Sequence, residues 1–162
     1  MTLVLIFFFE RFKKPEIKLD IYRTSNSTWR FFRKYHYLSS SLLSNSECFV
    51  GLINNKLVCF AAITDLIHNV LKNVKRVHRL VVLPDYQGVG IGKSFITCIA
   101  RLYLKKSFRF RIITSNPALI HSFQKDKRWI LVENTLSRTH HGKLKRTNSF
   151  STRHIFSYEF VE

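Results

Sequence analysis

Cysteine is scarce and scattered. Cys48, Cys59 and Cys98 form no CxxC pair and no cluster with histidine at metal-ligand spacing, which argues against both a disulfide framework and a zinc site. They read as buried apolar fillers in a protein of the reducing cytoplasm. Long apolar runs are lacking too. Met1 to Phe9 is apolar apart from Thr2, but a membrane span needs about twenty such residues. Glu10 to Pro15 supplies neither the basic start nor the small-residue cleavage site of a secretory signal. Residues 1–16 therefore read as a docked strand or a dispensable extension. A weak anchor using Lys13 and Lys14 is the less favoured option, so membrane contact is not expected. No low-complexity linker and no repeat divides the remainder, and residues 17–162 read as one domain.

Acidic residues are the other shortage, with 10 Asp and Glu facing 27 Lys and Arg for a formal charge of +17. The 46% apolar content excludes wholesale disorder, so the excess belongs to a folded protein with an anionic partner. Between Arg101 and Arg153 thirteen basic residues stand against Asp126 and Glu133. Lys143, Lys145 and Arg146 lie beside His140 and His141 in a polar stretch, which makes RNA, a ribosome or an acidic protein a candidate partner. A basic face that serves only solubility accounts for the same residues.

The pattern predicts strands over 17–23, 48–53, 56–64, 74–83, 108–114, 129–134 and 155–160, and helices over 28–37, 93–106 and 118–125. Asn54-Asn55 supplies a two-residue hairpin turn and Pro84 ends the fourth strand. Residues 137–153 read as a long loop, or as two strand ends around an excursion. The order implies an α/β (α+β) protein with a mixed sheet flanked by helices, and two parallel helical connections in its second half.

Three of the five glycines stand together in Gln87-Gly88-Val89-Gly90-Ile91-Gly92, between an apolar strand and an amphipathic helix. Glycine lets another group approach the main chain, and a helix N-terminus offers free N–H groups and a favourable dipole to an anion. Lys93 adds positive charge. These residues point to a phosphate or pyrophosphate site, or else to a plain glycine-rich turn. A Walker A loop would need glycine at 87, where Gln stands, so a nucleotide hydrolase is disfavoured. The dinucleotide fingerprint fails because the third glycine comes one residue early.

The segment from His78 through Leu80, Val82, Pro84, Gln87, Gly90 and Gly92 resembles the GNAT family of acetyl-coenzyme A-dependent N-acetyltransferases, whose signature is a strand of the form L-x-V-x-P followed by Q/R-x-x-G-x-G/A. The resemblance extends to Asn116 before the next helix and, in element order, to nearly the whole chain. It implies a sheet splayed at its centre, with about six to seven strands and about four helices. It implies coenzyme A pyrophosphate on the N–H groups of Gln87, Gly88, Val89, Gly90, Ile91 and Gly92 with Lys93 nearby. The pantetheine arm would lie along the main chain from Leu80 to Val82, and Asn116 would hydrogen-bond it or orient water. It further implies acetyl transfer to an amine in a direct ternary complex, without a metal.

At the position where many members carry a glutamate base this chain has His78, whose ordinary pKa near 6.5 suits the task. A histidine satisfied at a strand edge is the plain alternative. Where the family often has a tyrosine acid stands Phe123, which has no proton to give; His121, Tyr103 or water would have to replace it. No cysteine lies near the strand and loop in sequence, so a covalent acetyl-enzyme is not suggested; Cys98 on the following helix is the alternative. An enzyme is thus the first reading, and a non-catalytic module of the same fold holding nucleic acid or another polyanion is the second.

Overall fold

The computed structural model describes residues 17–36, 41–67, 71–139 and 151–162. Its strands are β1 (Asp20–Thr24), β2 (Glu47–Ile53), β3 (Lys56–Asp65), β4 (Val74–Val82), β5 (Arg109–Thr114), β6 (Trp129–Thr139) and β7 (Ser151–Phe160). They form one sheet in the order β1-β2-β3-β4-β5-β7-β6. Asn54 and Asn55 both take positive φ, 49° and 61°, the geometry that lets a two-residue turn follow the twist of β2 and β3. β3 is the spine of the sheet: Val58 to Ile63 are fully buried.

The α-helices are α1 (Trp29–Phe32), α2 (Ile91–Leu104) and α3 (Pro117–Gln124). Among the described residues there are three, against the expectation of about four. The predicted helix over 28–37 is a single α turn between 3-10 turns at Asn26–Thr28 and Arg33–Tyr35. Its residues include Thr28, Trp29, Phe31, Phe32 and Tyr35, which lose side-chain freedom in a helix, and no side chain caps its start. Trp29 and Phe32 nevertheless anchor it on Phe60, with ring centroids 5.3 and 5.4 Å apart, on one face of the sheet. On the other face α2 buries Ile91, Phe95, Ile96, Ile99 and Tyr103 against the main core. Trp129 on β6 donates to Thr97 of α2 at 3.1 Å.

Only the first of the two expected helical connections joins neighbours. β4 and β5 are parallel and adjacent, but β7 lies antiparallel between β5 and β6, so the second connection skips one place. The polar stretch from Ser137 supplies strand ends on both sides, to Thr139 and from Ser151. Residues 1–16 and the basic cluster at His140, His141, Lys143, Lys145 and Arg146 lie outside the described residues. Among those described, no helix is long and apolar enough to cross a membrane.

Candidate active site

β4 and β5 pair over just three positions, Val74↔Arg109, Lys75↔Phe110 and Arg76↔Arg111. Beyond them β5 continues beside β7 and β4 beside β3, so the β5-side edge of β4 from Val77 to Val82 has no strand partner among the described residues. The sheet is open at its centre there.

A bulge re-aims the same strand. Ile63 pairs with Val77 and Ala62 with Arg79, which leaves His78 as an extra residue. The consequence is visible in the facing of the side chains: Val77, Leu80 and Val82 all turn toward the α2 core, although the first two are three positions apart. That odd spacing is legible in the sequence and is the signal that strict alternation fails at His78.

The His78 imidazole is partly buried and its Nδ1 has no hydrogen-bond partner among the described residues. Burial, reinforced by Arg79, Arg76 and His36, lowers its pKa to about 4. The ordinary value near 6.5 expected from sequence therefore gives way to an imidazole that is neutral throughout the physiological range.

After β4, Pro84 opens a 3-10 turn and the chain enters the glycine loop. Gly88 and Gly90 take φ of 81° and 91°, and a Cβ built on either would meet nothing within 4 Å. Gly92 has a different duty: a Cβ there would sit 3.2 Å from Val82, so its absence lets α2 start close against β4. Gly90 is the N-cap of α2, and Ile91 inserts its side chain into the core. Val89 is largely exposed. Among the described residues nothing accepts a hydrogen bond from the N–H groups of Gly88, Val89, Gly90, Ile91, Gly92 or Lys93. Six amides at and before a helix N-terminus are thus without an acceptor among the described residues, with open space over Gly88 and Gly90, a loop suited to a diphosphate.

Gln87 belongs to the scaffold of this loop. Its N–H donates to the Pro84 carbonyl at 3.1 Å and its Nε2 to the Val82 carbonyl at 2.8 Å. Of the main chain expected to meet the pantetheine arm, the Val82 carbonyl is therefore already engaged. Lys93 is also committed. Its ammonium lies 2.9 Å from Asp126 and 3.3 Å from the Ser122 carbonyl. Asp126 receives Arg128 as well, at 2.8 Å, and these contacts hold its carboxyl well below the usual range. Sequence reasoning did not pick out Asp126, because the pairing spans more than thirty positions and follows no local spacing. Asn116 caps α3, its Oδ1 accepting from Ala118 and Leu119 N–H at 3.0 and 3.2 Å.

The candidate acids are dispersed. Phe123 is fully buried between Trp129 and Tyr158, with centroids 4.5 and 5.3 Å away. Tyr103 lies near the far end of α2 against Phe49 and Phe110. His121 is exposed along a groove of about 590 Å³ with Asn134 and His154. Cys98 is exposed on α2, while Cys48 and Cys59 are buried.

The sequence model described as "Acetyltransferase (GNAT) family" matches residues 12–126. Among solved structures, an acetyltransferase from Bacillus subtilis in complex with CoA superposes with a TM-score of 0.65 at 13% identity, over 91% of this chain and 99% of that one. A GNAT family acetyltransferase from Elizabethkingia anophelis with acetyl-CoA bound gives 0.66 at 13%, over 89% and 98%. The ribosomal-protein-S18-alanine N-acetyltransferase from Escherichia coli gives 0.64 at 15%, over 90% and 96%. No curated protein sequence matches the chain.

Proposed function

We propose, because the chain belongs to the acetyltransferase (GNAT) family, that it moves an acetyl group from acetyl-coenzyme A directly to an amine held in the same complex. The observation that carries this reading is the set of six amides from Gly88 to Lys93 that have no acceptor among the described residues, beside a strand whose edge has no partner among them. The open space over Gly88 and Gly90 fits a diphosphate approaching the main chain. The amides would hold that diphosphate by charge-assisted hydrogen bonds, and the free edge of β4 near Leu80 would hold the pantetheine arm. The exposed carboxamide nitrogen of Asn116 remains available to the same arm, since the cap uses only its oxygen. When bound, the coenzyme supplies an acetyl thioester, which an amine attacks only in its neutral form.

Two features of the chain favour that neutral form. His78 stands at the bulge, unprotonated at pH 7 and able to accept a hydrogen bond from an incoming amine. Its neighbours Arg79 and Arg76 disfavour any further positive charge there, so the field that lowers the imidazole pKa also disfavours an ammonium. We assign no side chain as the acid: Phe123 has no proton to give.

The test is calorimetry with acetyl-coenzyme A and with ATP, followed by thiol release in the presence of amines. Affinity for the first ligand alone, with amine-dependent thiol release, is the expected result; no affinity for any coenzyme A thioester would falsify the reading.

His78 gives a second check. Because its pKa in the folded chain is lowered, the proton is lost by about pH 4, and an NMR titration of the imidazole should show an inflection near there rather than near 6.5. Between those values the unfolded chain binds the proton and the native chain does not, so this group makes stability fall as pH drops from 6.5 toward 4. Replacing His78 by alanine should lower turnover about 10- to 100-fold with little change in coenzyme affinity. An unchanged turnover would leave His78 as a structural residue of the bulge.

A further inference from the structure

The two faces of the open centre differ in charge. Register and packing place Val77, Leu80 and Val82 on the α2 face, with the glycine loop. Arg79 pairs with Ala62 and Arg76 with Thr64, which puts both on the opposite face, where α1 packs over Phe60 and Ala62. Arg111 is the register partner of Arg76 on the last rung before β4 and β5 part, and Arg109 lies on the same face two residues earlier. The acids of this region are few. Glu159 on β7 is shared by Arg109 at 2.7 Å and Arg111 at 2.6 Å, and Glu133 lies beyond it on the edge strand β6. Arg79 is occupied, donating to the carbonyls of His78 at 2.9 Å and Ser41 at 3.0 Å. The Arg76 side chain is partly exposed and, among the described residues, makes no hydrogen bond or ion pair.

Resting on the transferase reading above, we propose that the acceptor is a small amine bearing its own carboxylate or phosphate, bound on the face opposite α2 with its anion at Arg76, next to the Arg111–Glu159 pair. The donor's diphosphate site lies on the α2 face, so the opening between β4 and β5 is the passage by which an acyl group reaches the other side. The anion site at the last rung and the bulge at His78 are two residues apart along β4, about 7 Å. An amine separated from its anion by three to five bonds spans that distance. A second ammonium in place of the anion would meet the charge of Arg76, unpaired among the described residues, so polyamines are disfavoured. The charges of Arg76 and Arg79 add to the burial that keeps His78 neutral, so they are felt at the bulge.

The experiment compares kcat/KM for γ-aminobutyrate, O-phosphoethanolamine, propylamine and spermidine, in the full chain and in R76E and R76Q. At least one of the first two should exceed propylamine and spermidine by tenfold or more, and the better of them identifies carboxylate or phosphate. In R76E that ratio should fall at least tenfold; R76Q, which removes the charge and keeps a polar side chain, should lower it in the same direction. Preference for spermidine or propylamine, no turnover of either anionic amine above that of propylamine, or a ratio unmoved by both substitutions overturns the acceptor assignment. Calorimetry with acetyl-coenzyme A separates the two readings. Retained affinity with any of those outcomes overturns the acceptor alone, whereas lost affinity in the unmodified chain overturns the transferase reading beneath it.

Discussion

Aspartate in place of Gly90 should weaken acetyl-coenzyme A binding by two orders of magnitude or more while the chain remains folded. Two effects act at this position and fall on different measurements. The φ of 91° is costly for any side chain, about 1–2 kcal/mol, which lowers the thermal midpoint by a few degrees. Bulk itself adds nothing to that cost, because a Cβ at Gly90 meets nothing within 4 Å. The second effect is charge. A carboxylate about 5 Å from a phosphate, at the effective dielectric of a protein surface, repels it by roughly 3 kcal/mol, about 100-fold in affinity. Alanine at the same position carries the strain without the charge and separates the two. Equal affinity in the aspartate variant and the parent would mean that the diphosphate is not bound at this loop.

The second large effect is expected at Phe123. Truncation to alanine should destabilise the protein by about 3–5 kcal/mol, because the ring is fully enclosed and its neighbours Trp129 and Tyr158 cannot collapse into the space. For a chain of this size that is a drop of roughly 10 °C or more in the melting midpoint. The tyrosine variant is the more telling companion. It restores the residue that the family often uses as an acid, but it buries a hydroxyl beside Tyr158, whose own hydroxyl already has no partner among the described residues. Tyrosine should therefore cost about 1–3 kcal/mol and leave turnover unchanged. A rise in turnover would show that position 123 faces the reaction after all.

The elements with strong local signals were legible in the sequence: the asparagine hairpin, the apolar run of β3, the glycine loop, and the Asn-Pro start of α3. The backbone geometry of the glycine loop was legible too, since glycine spacing reports directly on main-chain conformation. Side-chain partners were not. The expectation that Lys93 adds free positive charge at the loop took no account of Asp126, and the expectation of an ordinary pKa for His78 took no account of burial at a bulge. Both depend on contacts between distant strands and helices, which no local pattern encodes. The weak helix over 28–37 was misjudged for the opposite reason. Its apolar spacing is helical, but its aromatic composition and missing cap shorten it to one α turn.

Asp126, gripped from one side by Lys93 and from the other by Arg128, has an effect beyond its own neighbourhood. Lys93 sits in the first turn of α2 and Asp126 just past the end of α3, so the triad fastens the beginning of one helix to the end of the next. That link restrains the α2 terminus through contacts within the chain itself, so on the proposed reading the loop amides are held in place without a ligand. Association should accordingly carry little ordering entropy from this part of the chain.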